Sequence, residues 1–449
     1  MARLFGTDGV RGLANVDLTA PLALELGEAA ARLTIQGRPA SGHKPKAIIG
    51  RDTRISGEFL DHALAAGLAS AGMDVVRVGV VTTPTVAHLT ASSSVDLGVM
   101  ISASHNPMPD NGIKFFAHGG YKLPDQVEDQ IQELLNTSWD RPTGAAVGEV
   151  EYDDDWAEKS YIEHLMTSLG TDLHGLRIAV DCANGGASFL APEAFRQAGA
   201  DAVVINAAPD GRNINDKAGS THPEQLQALT VASEADFGVA YDGDADRCLA
   251  VDRDGNIVDG DKIMGALAVH MRDEGQLAKD TLVVTVMSNL GLILAMQEAG
   301  IKTVQTGVGD RYVLEAMLEG GYSLGGEQSG HIIAKKYATT GDGILSSLLL
   351  ARMVKESGRD LADLTSFIKR LPQTLINVGG VDRSRANTDP AVQEAVAAAE
   401  AVLGNTGRVL LRPSGTEPLV RVMVEAATQA QADGVASRLA DVVKENLSL

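Results

Sequence analysis

The feature that most constrains the fold is a repeated alternation of short apolar runs with amphipathic segments of helical spacing. Residues 46–50 form an apolar run that ends in Gly, which predicts a buried strand. Apolar residues at helical spacing follow over 56–71, with Ser56 as the expected N-cap. Residues 74–81 and 97–101 predict two further strands. Short apolar strands separated by amphipathic helices indicate βαβ units and a mostly parallel sheet.

The same alternation recurs in the middle of the chain. Further elements are expected there, a helix at 191–198 and strands at 176–181, 202–205, 237–241, 281–286, 302–305 and 322–324. An Ala-Gly pair, which begins at Ala71, Ala198 and Ala299, closes a helix before a Val-bearing strand in each section. Because Gly supplies a left-handed helix end, the three pairs favour three similar α/β units.

The pattern changes beyond residue 372. An Ala-rich helix at 390–403 and a closing helix at 429–446 are expected beside strands at 375–378, 409–412 and 419–424. We therefore expect an α/β protein, with three similar mixed α/β domains (mostly parallel sheets with flanking helices) and a smaller C-terminal α+β domain. The expected domain boundaries are 1–160, 161–258, 259–371 and 372–449.

Composition disfavours several classes of function. The 449 residues carry a formal net charge of −21, which argues against general binding to nucleic acid or anionic lipid. Two cysteines, Cys182 and Cys248, are too few for a disulfide framework and favour a reducing compartment. No run approaches roughly 18 apolar residues, and the first residues lack a signal-peptide core. We therefore expect a cytoplasmic protein without a membrane span.

Four polar loops follow predicted strands, which is where ligands bind in α/β sheets. The first loop, 102–107, carries Ser104 followed by His105. It is either a plain turn, since Ser, Asn and Pro favour turns, or the site of a nucleophilic or phosphate-accepting Ser104. No Gly-x-Ser-x-Gly elbow surrounds Ser104, which argues against a serine hydrolase. His105 is adjacent in sequence and is expected to point away from Ser104.

The second loop places carboxylates at alternate positions, at Asp242, Asp244 and Asp246. They repel one another unless a cation lies among them, and hard oxygen ligands select Mg²⁺ or Ca²⁺. An EF-hand needs Gly at its sixth position and Glu at its twelfth, where this chain has Arg247 and Arg253. Mg²⁺ that serves phosphoryl transfer therefore fits better, and the alternative is a solvated acidic turn.

The third and fourth loops have the composition of ligand-binding turns. The third, 325–331, surrounds polar side chains with glycines: Glu327, Gln328, Ser329 and His331. Such a loop suits a polyhydroxyl ligand, and a capping turn is the alternative. The fourth, 412–418, combines hydroxyls, a glycine and nearby cations: Ser414, Thr416, Gly415, Arg412 and Arg421. This composition resembles that of an anion-binding nest, and a structural turn is the alternative.

Taken together and in this chain order, the four loops resemble the phosphoserine, metal, sugar and phosphate loops of the α-D-phosphohexomutase superfamily. The resemblance spans nearly the whole chain. It implies a phosphoserine at Ser104 and Mg²⁺ held by the Ser104 phosphate, Asp242, Asp244 and Asp246. It also implies that Glu327 and Ser329 hold sugar hydroxyls. The non-reacting phosphate would lie in a cradle of Arg412, Ser414, Gly415 and Thr416, with Arg421 nearby.

Within the superfamily, the chain is similar to the branch that interconverts glucosamine 6-phosphate and glucosamine 1-phosphate, towards UDP-N-acetylglucosamine. The similarity lies in the opening 5–12, in 308–312, and in Gln328 between Glu327 and Ser329. One departure is Met108-Pro109, where the branch often has an aromatic residue. The resemblance implies a phosphosugar substrate, one Mg²⁺ per chain, a sugar bisphosphate as primer and intermediate, and a homodimer. It leaves open whether an activating kinase also primes Ser104.

The resemblance further implies roles for residues beside the phosphoserine. Lys114 is the expected proton carrier, and Arg11 is expected to stabilise the transferring oxygens. Arg247 either shares that second role or pairs with a neighbouring Asp. His331 either contacts the sugar or packs the loop.

Three alternatives to an amino-sugar mutase stay open on the sequence. A phosphomannomutase or phosphoglucomutase would use the same chemistry, and only the sugar loop, through Gln328, separates it from the amino-sugar branch. An Mg²⁺-dependent phosphatase would use Asp242 as its nucleophile and would release phosphate. A non-catalytic sugar-phosphate binder would keep the loops without turnover, which the joint presence of Ser104, the three Asp and Lys114 disfavours.

Overall fold

The computed structural model of the protein describes residues 3–6, 8–37, 44–414 and 419–449. The chain separates into two compact units. The first comprises Met1–Met287 and Ile301–Ser366, and the second comprises Ser288–Gly300 and Phe367–Leu449. The four domain boundaries expected from the sequence stay a prediction.

The secondary structure alternates strands and helices along most of the described chain. The strands are β1 (Val10–Leu13), β2 (Lys46–Arg51), β3 (Asp74–Val80), β4 (Leu97–Ile101), β5 (Asp110–Ala117), β6 (Val150–Tyr152), β7 (Arg177–Asp181), β8 (Asp201–Ile205), β9 (Phe237–Tyr241), β10 (Cys248–Asp252), β11 (Ile257–Val258), β12 (Thr281–Thr285), β13 (Lys302–Thr306), β14 (Leu324–Gly326), β15 (Ile332–Ala334), β16 (Gln373–Gly379), β17 (Arg408–Pro413) and β18 (Leu419–Glu425). The helices are α1 (Ala20–Gly37), α2 (Ile55–Ser70), α3 (Thr83–Ser92), α4 (Asp125–Leu134), α5 (Asp154–Leu169), α6 (Ala187–Gln197), α7 (Glu224–Ala232), α8 (Gly260–Asp273), α9 (Leu290–Glu298), α10 (Asp310–Gly320), α11 (Gly343–Ser357), α12 (Leu361–Thr365), α13 (Pro390–Leu403) and α14 (Gln429–Leu447). Among the described residues, no helix combines the length and the apolar character that a membrane crossing needs.

The first sheet has the strand order β1–β5–β4–β2–β3–β6. Its parallel strands are β2, β3, β4 and β6, whereas β5 runs antiparallel to both of its neighbours. The predictions for β2, β3, β4 and α2 are confirmed to within a residue or so at each end. The prediction of Ser56 as an N-cap is wrong, because α2 begins at Ile55 and Ser56 Oγ instead accepts a hydrogen bond from Asn111 Nδ2 (2.9 Å).

The second and third sheets repeat the mixed arrangement. Their strand orders are β11–β10–β9–β7–β8 and β13–β12–β14–β15. In each sheet a parallel section is extended by antiparallel strands, β10 and β11 in one and β15 in the other. The strand predicted at 322–324 begins instead at Leu324 and runs through two glycines. The expectation of three similar mixed α/β units is confirmed.

Each of the three Ala-Gly pairs ends a helix, as the sequence predicts. Gly72, Gly199 and Gly300 have φ angles of +96°, +86° and +75°. These left-handed conformations favour Gly, which has no Cβ to clash. The pairs therefore mark the ends of α2, α6 and α9 before the strands β3, β8 and β13.

Two fully buried strands, β4 and β9, lead into two of the polar loops of the first unit. Both consist of apolar residues and Gly, as expected for sheet strands that are covered on both faces. The loop that contains Ser104 follows β4, and the loop that contains Asp242 follows β9. The two sheets therefore present these polar residues at the carboxyl ends of interior strands.

The second unit is a small α+β structure, as predicted. Its antiparallel sheet has the order β16–β18–β17 and is covered by α13 and α14. Val420, Val422 and Val424 on β18 are buried against Leu439 and Val443 of α14. Partly exposed and buried residues alternate over the first four residues of β18, whereas the last four are all buried.

We expect Asp342, the N-cap of α11, to make protein stability depend on pH. Asp342 is buried, accepts hydrogen bonds from Tyr161 Oη at 2.8 and 2.9 Å, and accepts one from the Leu345 N–H at 2.9 Å. Burial outweighs these bonds and raises the pKa of Asp342 to about 6. Because the unfolded chain loses this proton near pH 3.8, the folded state loses stability as pH rises through that interval.

The Asp342→Asn variant, which keeps the N-cap, should lack this dependence. The free energy of unfolding of the wild type relative to the variant should fall by up to about 2 kcal/mol between roughly pH 4 and pH 7. Urea denaturation at several pH values measures it. Asp155→Asn, on an exposed carboxylate, is the matched control. A difference between wild type and Asp342→Asn that does not vary with pH would contradict the prediction.

Candidate active site

Ser104 lies in the loop between β4 and β5 and is 1% exposed. Its backbone has φ +52°, a left-handed conformation that is uncommon for a residue other than Gly. Its Oγ donates a hydrogen bond to Asp242 Oδ2 at 2.5 Å. The prediction that His105 points away is wrong, because its Nδ1 lies 3.2 Å from Ser104 Oγ. Burial, together with Arg247 and Arg11, lowers the pKa of His105 to about 4, so the ring is neutral at neutral pH.

A buried guanidinium, that of Arg54, holds this loop in place. Arg54 is 0% exposed and forms an ion pair with the equally buried Asp52 (Nε–Oδ2 2.9 Å). Its two terminal nitrogens donate to four backbone carbonyls of the loop, those of Ser104 (3.0 Å), Asn106 (2.8 Å), Pro107 (2.6 Å) and Asp110 (3.1 Å). Asp52 also accepts from Ser102 Oγ at 2.6 Å. One cation therefore fixes the path of the chain around Ser104.

The loop after β9 approaches the Ser104 loop closely. Gly243 lies against the Ser104 carbonyl oxygen, and a Cβ at position 243 would lie only 2.5 Å from that oxygen. Asn215 Nδ2 donates to the same carbonyl at 2.9 Å. Only Gly allows the two loops to meet at this distance.

Three buried carboxylates, those of Asp242, Asp244 and Asp246, converge beside Ser104. Each offers an oxygen within 4.8 Å of the others. Within the described residues, Asp244 Oδ1 and Asp246 Oδ1 are buried and accept no hydrogen bond. Burial and the two neighbouring carboxylates raise the pKa of Asp242 well above its usual range. Buried oxygens without donors and mutual repulsion are what a hard divalent cation relieves, so this donor set fits Mg²⁺.

Asp244 is held by two residues from other strands and helices. Thr83, the first residue of α3, donates to Asp244 Oδ2 at 2.6 Å, and Lys114 Nζ on β5 donates to the same oxygen at 2.9 Å. Lys114 is 2% exposed and also lies 3.0 Å from Asp8 and 3.7 Å from Asp246. Burial disfavours its ammonium, but these carboxylates outweigh burial and raise the pKa of Lys114. These carboxylates therefore favour the ammonium form of Lys114.

The two arginines expected near the phosphoserine border the same cluster. Arg11 on β1 contacts Asp8 and donates to the Ala103 carbonyl at 3.3 Å, one residue before Ser104. Arg247 Nε lies 4.0 Å from Asp246. Within the described chain, Nε of each arginine is buried without a hydrogen-bond acceptor. Both guanidiniums therefore keep donors for an anion.

The sugar loop connects β14 and β15 and presents its residues unequally. Ser329 is exposed and Glu327 is half-buried, with its Oε1 accepting from the Gly309 N–H at 3.1 Å. Gln328 is turned towards α8, where its Nε2 donates to Asp261 Oδ2 at 3.1 Å. His331 is 3% exposed, and its Nε2 accepts from the Gly341 N–H at 3.2 Å. Ser329 and part of Glu327 are therefore accessible at this loop, whereas Gln328 and His331 make contacts that hold the loop itself.

The phosphate loop belongs to the second unit and is described in part. Arg412 on β17 and Arg421 on β18 are directly opposite each other in the antiparallel register. Like charges at such a pair are unfavourable unless an anion lies between them. The Ser414 N–H donates to the Leu419 carbonyl at 2.9 Å, and Gly415 and Thr416 lie outside the described residues.

Sequence reasoning missed several residues that shape the site. Arg54, Thr83, Asp8 and Lys122 make direct contacts with predicted site residues or with each other. Asp8 lies within the quoted opening motif 5–12, which was its only signal. Nothing in the local sequence around Arg54 or Thr83 marks a partner elsewhere in the chain.

Comparison with known families gives four matches that together cover most of the chain. Models described as phosphoglucomutase/phosphomannomutase alpha/beta/alpha domains I, II and III match residues 2–141, 159–255 and 259–371. The model of the C-terminal domain of the same family matches residues 375–442.

Solved structures share the fold over nearly the full length. A phosphoglucomutase/phosphomannomutase family protein of Burkholderia thailandensis superposes with a TM-score of 0.81 at 26% identity, covering 99% of this chain and 97% of the other. N-acetylphosphoglucosamine mutase of Aspergillus fumigatus, in complex with GlcNAc-6P and magnesium, superposes with a TM-score of 0.70 at 20% identity, covering 99% and 96%. The second likeness concerns the fold alone.

Bacterial relatives are much closer in sequence. Phosphoglucosamine mutase of Bifidobacterium animalis subsp. lactis is 60% identical over 454 residues, and the alignment covers 100% of both chains. Phosphoglucosamine mutase of Streptomyces coelicolor is 59% identical over 452 residues, again with 100% of both chains covered. Identity of this level along the whole length, with all four domain models matched, shows that the chain belongs to the phosphoglucosamine mutase family of the α-D-phosphohexomutases.

Proposed function

We propose that the protein interconverts glucosamine 6-phosphate and glucosamine 1-phosphate through a phosphoserine at Ser104 and a bound sugar bisphosphate. The observation that carries the proposal is the contact of Ser104 Oγ with Asp242 Oδ2 (2.5 Å) in a cluster of buried carboxylates with unused oxygens. A serine hydroxyl at a site suited to a divalent cation fits reversible phosphoryl transfer. The amino-sugar substrate is inferred from the bacterial relatives, which are named phosphoglucosamine mutases.

In the proposed reaction, two phosphoryl transfers balance each other. The bond between Ser104 Oγ and phosphorus breaks while the oxygen of the free sugar hydroxyl bonds to the same phosphorus, and the hydroxyl proton passes in net terms to Ser104 Oγ. The bisphosphate then turns within the site, and its other phosphoryl group returns to Ser104. Net phosphate release is zero, because each group that leaves the serine is replaced.

The protein's own side chains would hold the charge during these transfers. Arg11 and Arg247 would donate to the phosphoryl oxygens, and the proposal is supported by the buried Nε of each, which has no acceptor in the described chain. Lys114 is held as an ammonium by its carboxylate neighbours. It therefore suits the donation of a proton to the leaving Ser104 oxygen better than the removal of one from the sugar hydroxyl.

The remaining predicted residues would bind and orient the sugar. Glu327 is half-buried and Ser329 is exposed, and both would suit hydrogen bonds to sugar hydroxyls. His331 would support their loop through the Gly341 contact. The non-reacting phosphate would be bound in the second unit by Arg412, Ser414, Gly415, Thr416 and Arg421.

One Mg²⁺ per chain would be held by Asp242, Asp244, Asp246 and the phosphate on Ser104. When bound, Mg²⁺ offsets negative charge on the phosphoryl oxygens. We also propose that the protein acts in the cytoplasm as a homodimer, and that a sugar bisphosphate or an activating kinase primes Ser104.

We expect Asp246→Asn to weaken Mg²⁺ binding at least about tenfold, because it removes one of three ligand charges. The measurement is the Mg²⁺-dependent rise in melting temperature, titrated against EDTA-treated protein. Asp254→Asn is the matched control, since Asp254 is an exposed carboxylate in the hairpin after β10. Equal Mg²⁺ responses of the two variants would contradict the assignment of Asp246.

The proposed function is tested by turnover of the purified protein with Mg²⁺ and a trace of sugar bisphosphate. Glucosamine 6-phosphate, glucose 1-phosphate and mannose 1-phosphate are compared by kcat/KM, with free phosphate followed in parallel. A strong preference for the amino sugar without phosphate release supports the proposal. Preference for a hexose phosphate would contradict the substrate, and free phosphate as the main product would contradict the mutase reaction itself.

A further inference from the structure

Lys122, in the segment between β5 and α4, joins two carboxylates that are distant in sequence. Its Nζ lies 2.6 Å from Asp8 Oδ1 and also contacts Asp310 Oδ2. The three side chains are mostly buried, with exposed fractions of 12% for Lys122, 21% for Asp8 and 16% for Asp310. This cation therefore connects the start of the chain to the first residue of α10, and neither carboxylate was predicted as a site residue.

On one side, the contact leads to the groups around Ser104. Asp8 Oδ2 lies 3.0 Å from Lys114 Nζ and also contacts Arg11. Lys114 in turn donates to Asp244 at 2.9 Å. Displacement of Asp8 would therefore shift both cations proposed to act on the transferring phosphoryl group.

On the other side, the contact leads to the sugar loop. Asp310 Oδ2 lies 3.5 Å from His331 Nε2. The residue before it, Gly309, donates its N–H to Glu327 Oε1 at 3.1 Å. The position of Asp310 is thus tied to the loop that is proposed to hold the sugar hydroxyls.

The charged form of Lys122 favours the charged forms of Asp8 and Asp310, and they favour that of Lys122. Burial alone would lower the pKa of Lys122, but Asp310 and Asp8 outweigh burial and raise it. Conversely, nearby cations, Lys122 foremost, hold the pKa of Asp310 below its usual value in spite of burial. A buried ion pair contributes little net stability over an apolar replacement. The role of Lys122 is therefore inferred from the positions of the groups that it contacts and not from the energy of the contacts.

We infer that Lys122 is a positioning residue for the proposed phosphoryl transfer, fixing the distance between the cations beside Ser104 and the loop that holds the sugar. The inference rests on the proposed function. A bisphosphate that turns within the site must present either phosphoryl group to the same serine. A constant spacing between the two sides of the site serves both orientations, and small misplacements are costly in rate.

The test compares Lys122→Met with the conservative Lys122→Arg and with Arg311→Met. Arg311 is the matched control because it bridges the same parts of the chain, donating to the Leu123 carbonyl at 2.9 Å and contacting Asp125, without touching Asp8. For Lys122→Met we expect kcat to fall roughly 10²-fold with KM changed less than about threefold. Lys122→Arg should recover at least about a tenth of the wild-type kcat, since a guanidinium still pairs with both carboxylates.

A further variant, Lys122→Met with Asp310→Asn, keeps the test valid if Lys122→Met does not fold. It leaves no unpaired charge at position 310, while Asp8 keeps Arg11 and Lys114 as partners. Its kcat should be roughly 10²-fold below that of the wild type.

Several outcomes would overturn the inference alone while the wild type turns over normally. They are an unchanged kcat in Lys122→Met, an equal loss of kcat in Arg311→Met, and recovery of kcat in the double variant. Wild-type protein without mutase turnover would instead overturn the proposed function, and this inference with it.

Discussion

Replacing Ser104 with Ala is expected to abolish mutase turnover, with kcat lowered roughly 10⁴-fold or more, as is usual on loss of a covalent nucleophile. The Oγ is the only atom of this residue that can accept a phosphoryl group, and it lies 2.5 Å from Asp242. The variant should fold normally, because the carbonyl contacts to Arg54 and Asn215 do not involve the removed hydroxyl. Steady-state conversion of glucosamine 6-phosphate measures the effect.

The same variant separates the mutase from a phosphatase. An enzyme that used Asp242 as its nucleophile would continue to release phosphate without Ser104, whereas the phosphoserine mechanism predicts neither conversion nor labelling by a radioactive bisphosphate. Ser93→Ala is a suitable control, because the Ser93 hydroxyl donates to the Leu89 carbonyl within the end of α3 and not to the Ser104 loop. Retained conversion in Ser104→Ala would refute the assignment of the phosphoacceptor.

Arg54→Met is expected to be the most destabilising change near the site, at about 3–5 kcal/mol. It leaves the buried Asp52 without its ion pair and removes the Arg54 hydrogen bonds from four carbonyls, of which those of Ser104 and Asn106 keep Asn215 Nδ2 as a donor. Urea denaturation measures the free energy of unfolding, and kcat should fall as well in the fraction that remains folded. Because Arg54 touches only the backbone of the Ser104 loop, the loss of activity would come from misplacement of Ser104.

Two further variants test this account of Arg54. Arg54→Lys keeps the charge, but an ammonium has only three donors and cannot reach all five acceptors, so it should recover only part of the stability. Arg253→Met is the control, since Arg253 is half-exposed and its carboxylate neighbours lie 3.7 Å away. A change of less than about 0.5 kcal/mol in Arg54→Met would contradict the role given to this residue.

The elements predicted best from the sequence are short strands in which nearly every residue is apolar. Strands β4 and β9 are short, apolar and buried throughout, and both were predicted with their observed ends. The predicted position of β14 was displaced by two residues. Gly325 and Gly326 have no side chains, so the sequence gives no hydrophobic signal that these positions are buried. Added Cβ atoms there would lie 2.7 Å from Met317 Sδ and 2.3 Å from the His331 carbonyl oxygen.

Two strands that depend on pairing with neighbouring strands, β5 and β10, escaped prediction. Strand β5 begins Asp-Asn-Gly, which is typical of a turn, and it becomes a strand by pairing with β1 and β4 on either side. Strand β10 directly follows the acidic loop, so the residues before it are also polar. For both strands, tertiary pairing outweighs local propensity.

The same division holds within the site. Side chains gathered in one loop, such as Asp242, Asp244 and Asp246, leave a pattern that can be read locally. Arg54 acts on Ser104 from 50 positions away, and Lys122 reaches Asp310 across 188 positions. Such contacts are made by the fold, and single residues of these types are common on any protein surface.

The left-handed backbone at Ser104 has a consequence for the identity of the phosphoacceptor. Threonine carries the same hydroxyl and could form the same ester, yet its branched Cβ is strongly disfavoured at φ +52°. The choice between two chemically equivalent acceptors is therefore made by the main chain. Replacement of serine by threonine is tolerated at many phosphorylation sites. At position 104 the backbone conformation disfavours threonine, although threonine has the same phosphate-accepting hydroxyl.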